Sequence, residues 1–149
     1  MDPRDVERYL HDRIPLARAV GACVKRIDAD GACLEAPLAP NLNHRGTAFG
    51  GSLSVLGVLA GWVVVYVGLR RDDVDAHLVI QRHEVDFTAP ARDRLTAWAP
   101  APGAAAWGTF RRTLNRRRRA RLDVGCELRS AGRDVGRCWG RYVALGFDG

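Results

Sequence analysis

Lysine is almost missing from this chain. Of its 23 basic residues only Lys25 is lysine and the rest are arginine, against 17 acidic residues, for a net charge of +6. A guanidinium is planar and suited to two-pronged contact with phosphate or carboxylate, so the positive side is a set of forks rather than point charges. The four cysteines (Cys23, Cys33, Cys126, Cys138) contain no C-x-x-C and no metal-ligand spacing with the four histidines. That pattern gives no metal site and predicts free thiols in a reducing compartment. The first residues, M-D-P-R-D-V-E-R, include acids and no apolar core, which predicts no secretory leader and a cytoplasmic protein. With 47% hydrophobic and 27% charged residues the chain is globular rather than disordered. Its 149 residues make one domain, residues 1–149, able to bury a core without staples.

The longest absence is of charge. From Gly46 to Leu69 there is no charged side chain, and the stretch 41–69 passes from polar and glycine residues into a continuous apolar run. It reads as a loop leading into a long helix. Gly50 and Gly51, without Cβ atoms, let backbone come close to a ligand. The first turn of the helix leaves N–H groups unpaired, and their partial positive charge favours an anion or a carbonyl oxygen becoming one. A tight turn is the plainer meaning of Gly-Gly before a helix. The 24 uncharged residues also satisfy the length rule for a membrane span, and Gly57 and Gly61 form G-x-x-x-G. Against that, Arg45 and Arg70-Arg71 flank the run symmetrically, its start is rich in glycine and hydroxyls, and the segments beyond alternate as in a soluble sheet. The expectation is therefore a helix apolar on every face, buried in a soluble core, with no membrane as partner.

Around it the pattern is as follows. Residues 2–13 predict a short amphipathic helix with Pro3 in the first turn and Val6, Tyr9 and Leu10 on one face, which 14–19 continue or flank. Residues 20–27 and 32–38 read as strands joined at Asp30-Gly31. After the helix the period becomes two. Residues 77–88 place Val79, His83, Val85 and Phe87 on one face and Leu78, Ile80, Arg82, Glu84 and Asp86 on the other. Strands are predicted at 93–99, 107–114, 120–129 and 135–145, with turns at 100–103 and at Ala131-Gly132. The connections are too short for parallel crossovers, so the sheet is antiparallel and the class α+β.

A curled antiparallel sheet around one apolar helix is the hotdog fold, and particular residues resemble a family with that fold. N-H-R-G-T-A-F-G-G at residues 43–51 resembles the N-x-x-G-x-x-(F or H)-G-G loop of hotdog acyl-CoA thioesterases. H-E-V-D-F-T-A-P-A, followed by L-T-A, is similar to their central strand and the proline turn after it. R-A-R-L-D-V-G-C-E-L and G-R-D-V-G-R-C-W-G-R-Y-V-A-L resemble their last strands. More narrowly, P-N-L-N-H-R-G-T-A-F-G-G-S-L-S-V-L-G-V-L-A-G-W is similar to the thioesterase domain fused to some bacterial acetyltransferases. The resemblance runs from about Ala36 to the C-terminus.

The resemblance implies hydrolysis of acyl-CoA or acyl-carrier thioesters at sites shared between subunits of a homodimer, or of a dimer of dimers. Coenzyme A would enter as part of the substrate, and no cofactor is implied. Gly50 and Gly51 would hold the thioester carbonyl oxygen, Asn43 would position water or carbonyl, and His44, Gly46, Phe49 and Ser54 would line the substrate. In the relatives a helix carboxylate eight or nine residues past the F/H position acts as base or nucleophile. Here those positions are Gly57 and Val58, and the helix has no acid. Glu84 and Asp86 stand first as substitute general bases, or else are solvated strand charges. His44, Ser52 and Ser54 follow, with capping the plainer role for the serines. Arg111, Arg112, Arg116, Arg117, Arg118, Arg119 and Arg121 read as a phosphate site for coenzyme A or as a solvated turn. Nucleic acid is not expected, since no aromatic residue lies between these arginines to stack on bases. A non-catalytic acyl-CoA binder would account for the missing acid, and a hotdog dehydratase would have only His44 to work with.

Overall fold

The structure, a computed structural model, describes residues 1–147. Helix α1 (Pro3–Arg13) is capped by Asp2, whose carboxylate accepts from the Arg4 amide, and it buries Val6 and Leu10. Pro15 cannot donate to the preceding helix, so the chain breaks at Ile14 and restarts as α2 (Pro15–Ala19). Gly21, at φ +71°, turns the chain into β1 (Cys23–Ile27). Strand β2 (Gly31–Ala36) pairs back on β1, and a 3-10 turn (Ala39–Asn41) opens the loop to α3 (Gly50–Arg71). Then come β3 (Ala76–Phe87), β4 (Leu95–Pro100), α4 (Ala104–Arg117), β5 (Arg119–Ser130) and β6 (Arg133–Gly146).

The six strands form one antiparallel sheet in the order β1-β2-β4-β5-β6-β3. Strand β5 shows the alternation most cleanly: Ala120, Leu122, Val124, Cys126, Leu128 and Ser130 are buried and every residue between them is exposed. The buried face wraps α3, which touches every strand from β2 to β6. Helix α3 is long and apolar enough to cross a membrane, but its residues Leu53, Leu56, Leu59, Ala60, Val63, Val65 and Val67 are enclosed by the sheet. It is the core helix of this fold. Tyr9 of α1 stacks on Tyr66 and Trp62 of α3 (ring centroids 5.0 and 6.0 Å), covering part of the side the sheet leaves open.

Three expectations change. Residues 107–114 are not a strand but the middle of α4. Trp107, Phe110 and Leu114 recur at helical spacing, so one face packs inward while Ala104–Ala106 and the arginines stay outside. The indole of Trp107 lies over Gly68 of α3 and donates to Asp72 (2.7 Å). Four strands therefore follow α3, not five. The second change is in β3. A register shift between Ile80 and Arg82 inserts Gln81 as a bulge, and a one-residue slip exchanges the faces beyond it. Leu78 and Ile80 lie opposite the buried Ala144 and Tyr142, and so share the inner face with His83, Val85 and Phe87; Val79 joins Arg82, Glu84 and Asp86 outside. Third, the 20–27 and 32–38 strands are shorter at Val20, Gly21 and Ala22 and at Pro37 and Leu38, where Gly21 turns and Pro37 removes a donor.

Candidate functional site

Residues 41–49 form a self-bonded loop. Asn41 is buried; its side-chain Nδ2 donates to the Val20 and Pro37 carbonyls (2.8 and 2.7 Å), and its backbone carbonyl accepts from the Phe49 amide (2.7 Å). Asn43 uses its whole carboxamide inside the loop. Its Nδ2 donates to Thr47 Oγ1 (2.8 Å) and the Ala48 carbonyl (3.3 Å), and its Oδ1 accepts from the Arg45 and Thr47 amides (2.9 and 3.2 Å). Two donors and two acceptor directions are thereby filled, so in the chain Asn43 shapes the loop. Gly46, at φ +76° with open space where a Cβ would stand, supplies the turn. The Ala48 amide donates to the Ala91 carbonyl (2.8 Å), tying the loop to the segment after β3.

The loop delivers the chain to an uncapped helix. Phe49 takes the N-cap position in extended conformation without a side-chain cap, and the first turn of α3 holds no acid. The Ser52 and Leu53 amides reach the Phe49 carbonyl (3.0 and 3.3 Å), but those of Gly50 and Gly51 have no acceptor among the described residues. Beside them lies a groove of about 440 Å³ lined by Asn43, Thr47, Gly50, Leu53, Phe87 and Pro90, with no charged side chain in its wall. The Phe87 ring would sit 3.2 Å from a Cβ on Gly50, and the exposed Phe49 ring covers Gly51. Two free amides, a helix dipole and an uncharged groove suit an electron-rich oxygen.

The remaining candidates are placed elsewhere. Glu84, on the outer face, accepts from the Trp139 indole (3.1 Å) and from Arg82. Asp86, on the same face, pairs with Arg137 (3.7 Å). In one chain neither carboxylate faces the groove, because the bulge and the pleat turn both away from α3. His44 is exposed at the loop tip, and Ser54 is half-buried on the second turn of α3. At Gly57 a Cβ would stand 2.5 Å from Cys138 Sγ, so the thiol occupies the space a helix carboxylate would need. Val58 offers its carbonyl to the Tyr142 hydroxyl (2.8 Å). The arginines of residues 116–119 close α4 and open β5. Arg119 is nine residues from Leu128, which pairs through Gly136 with Phe87, so the cluster is about 30 Å along the sheet from the groove.

Sequence reasoning passed over Asn41, Thr47 and the 88–91 segment, which hold the loop in place. It also gave no role to His83. That side chain is on the inner face of β3, and neither of its solvent-inaccessible ring nitrogens has a hydrogen-bond partner among the described residues. Burial lowers its pKa from 6.5, with the Trp139 backbone acting weakly the other way, so the ring is neutral near pH 7.

A family profile described as "Putative thioesterase (yiiD_Cterm)" matches residues 3–146. The chain belongs to this family. Solved structures resemble it over nearly their whole length. A Chlorobaculum tepidum protein of unknown function is 25% identical, with 97% of this chain and 94% of that one covered at a TM-score of 0.93. A Shewanella oneidensis protein described as a putative thioesterase is 23% identical, with 96% of each chain covered and a TM-score of 0.86. A mutant thioesterase from Pseudomonas aeruginosa is 15% identical, with 99% and 96% covered and a TM-score of 0.76. The fold of this yiiD-type domain is thus the α+β hotdog fold of thioesterases. No curated protein matches the sequence.

Proposed function

We propose that this yiiD-type protein hydrolyses acyl-CoA or acyl-carrier thioesters, and that the Gly50 and Gly51 amides hold the thioester oxygen in the groove. The reading rests on those two unpaired donors at an uncapped, uncharged helix start. Attack by water forms the C–O bond as charge gathers on that oxygen, and its collapse breaks the C–S bond and releases the thiol. Donors already in place stabilise the charge without reorganisation, and losing one lowers kcat on the order of a hundredfold or more. Incubation with a panel of acyl-CoAs and detection of free thiol tests the activity. Gly51→Val, whose Cβ would stand 2.5 Å from the Phe49 ring and so displace the ring that covers this turn, should abolish turnover while the protein stays folded by circular dichroism. Normal turnover in that variant would remove the site.

The proton acceptor follows from which faces the strands present. Glu84 and Asp86 are engaged on the outer face, whereas His83 is on the inner face of β3 with unpaired ring nitrogens, four residues before Phe87 of the groove wall and not itself in that wall. We assign the role of base to His83 ahead of the two acids, acting through intervening water, since about 13 Å of strand separates it from Phe87. Activity should fall as pH drops below the ring's lowered pKa and be lost in His83→Gln. A pH profile that His83→Gln leaves unmoved would return the role to Glu84→Gln and Asp86→Asn tests.

The protein is also proposed to be a dimer. Strand β3 is 12 residues long, pairs on one side only, and exposes Val79, Ile80 and Phe87 beside Phe49. Such an edge is a template for a second strand, and a second copy of β3 meets it across a two-fold axis. A non-catalytic acyl-CoA binder is the second reading. It is favoured by one observation: no carboxylate lines the groove or stands on α3. Binding of acyl-CoA without release of thiol would establish it.

A further inference from the structure

A recess of about 210 Å³ lies at the far end of α3 from the groove, between the last turns of that helix, the turn of the β1–β2 hairpin and the start of α4. About 27 Å of helix separates its Gly68 from Gly50. The floor is apolar, with Val64, Val67 and Ala32 buried beneath it. One side is the Trp107 indole, set so close to Gly68 that a Cβ there would stand 2.5 Å from the ring. Three tethers hold the walls. The Ala101 amide donates to the Asp30 carbonyl (2.7 Å), the Trp107 indole to Asp72 (2.7 Å), and Arg71 to the Asp28 carbonyl (3.4 Å). A cavity formed before its ligand arrives spends little binding energy on ordering.

The charges at the mouth do not cancel. Asp28 accepts from the Asp30 and Gly31 amides (2.9 and 3.2 Å) and pairs with Arg26 (3.1 Å). Asp72 pairs with Arg111 (3.2 Å) besides holding Trp107. Both acids are thus satisfied by groups outside the cavity or in its wall. The carbonyls of Gly68, Leu69 and Arg70 at the helix end accept from the Asp72, Val74 and Asp73 amides (3.2, 2.9 and 3.3 Å), so they too are occupied. Arg70 turns to Asp75 (3.8 Å). Arg71 is exposed and, among the described residues, has no carboxylate partner. What remains is one unopposed guanidinium over an apolar pocket.

We infer that this recess binds a small monocarboxylic acid, with its apolar body against Val64, Val67 and Trp107 and its carboxylate on Arg71. A cavity of about 150 Å³ holds a benzene ring, so the space suits a body of about five or six carbons. The planar guanidinium takes a carboxylate through two parallel N–H bonds, which a neutral amide cannot match and an amine opposes. The site is separate from the groove, and the inference does not rest on the thioesterase reading.

Calorimetric titration of the full chain with hexanoate, hexanamide, hexylammonium and acetate tests the ligand class. Hexanoate should bind saturably, about tenfold or more tighter than hexanamide. Acetate, for want of an apolar body, and hexylammonium, for its charge, should not saturate. Arg71→Gln should bring hexanoate down to the affinity of hexanamide. Location is read from the indole N–H resonances of the four tryptophans, with that of Trp107 assigned through Trp107→Phe. Hexanoate should shift the Trp107 resonance, and should do so equally in Gly51→Val, where the groove is altered and the recess is not. No saturable hexanoate binding would overturn the inference. An affinity that Arg71→Gln leaves unchanged, or tighter binding of hexylammonium, would overturn the carboxylate assignment. A Trp107 resonance that stays still, or a response lost in Gly51→Val, would put the ligand outside the recess and overturn it as well.

Discussion

His83 shows what a single side chain can encode here. In the folded chain the residue is half-buried with its ring nitrogens shielded from solvent, and its pKa lies below 6.5, so it is neutral where an exposed histidine would begin to protonate. Above pH 6.5 neither state holds the proton and the group contributes nothing to pH dependence. Between 6.5 and the folded pKa the unfolded chain binds the proton and the folded one does not, so stability falls as pH falls, levelling off below the folded pKa. The urea midpoint should therefore drop between pH 7 and pH 5, and His83→Gln should flatten that slope; an unaltered slope would place the protonation elsewhere. Gly57 carries the opposite message, that a side chain is excluded. With Cys138 Sγ 2.5 Å from the position of its Cβ, Gly57→Ala should destabilise by about 1–3 kcal/mol, as overpacking does. Cys138→Ala in the same chain should relieve most of that, measured as coupling in a double-mutant cycle.

Among the elements, α4 is the one that the alternating pattern disguised. Residues 107–114 contain Trp107, Phe110 and Leu114 with polar residues between, and eight residues are too few to separate a period of 3.6 from a period of two. The deciding features were the alanines at 104–106 and the partner surface. Trp107 covers Gly68 and holds Asp72, which also meets Arg111 (3.2 Å). Trp107→Ala removes a half-buried indole and leaves Asp72 with one partner fewer, which should lower unfolding free energy by roughly 2–3 kcal/mol in chemical denaturation. Loss of less than about 0.5 kcal/mol would mean that α4 is only laid against the core. The bulge in β3 belongs to this scale as well. One extra residue, Gln81, exchanges the faces of the strand, and its side chain, reached by Arg121 (2.9 Å), lies on the outside where Val143 is buried.

For the whole molecule the open side of the sheet is the feature with consequences. Sedimentation at micromolar concentration should show a dimer, because a free 12-residue edge next to exposed Phe49 and Phe87 is otherwise an aggregation hazard. A stable monomer would remove the proposed dimer and with it any site shared between subunits.

The sequence by itself determined the central helix, the antiparallel character of the sheet and the loop before Gly50. Each is written in local terms: an uncharged run, short connections, glycines and asparagines at a turn. It also marked the arginine cluster as a phosphate candidate, since guanidinium groups so dense need no fold to be noticed. What only the tertiary structure decided is direction. Whether Glu84 or His83 faces α3 depends on one inserted residue in β3, and whether Asn43 is free to touch a substrate depends on four hydrogen bonds that close within its own loop. Pairing register and hydrogen-bond saturation are relations between distant or already folded segments, and no window of sequence contains them.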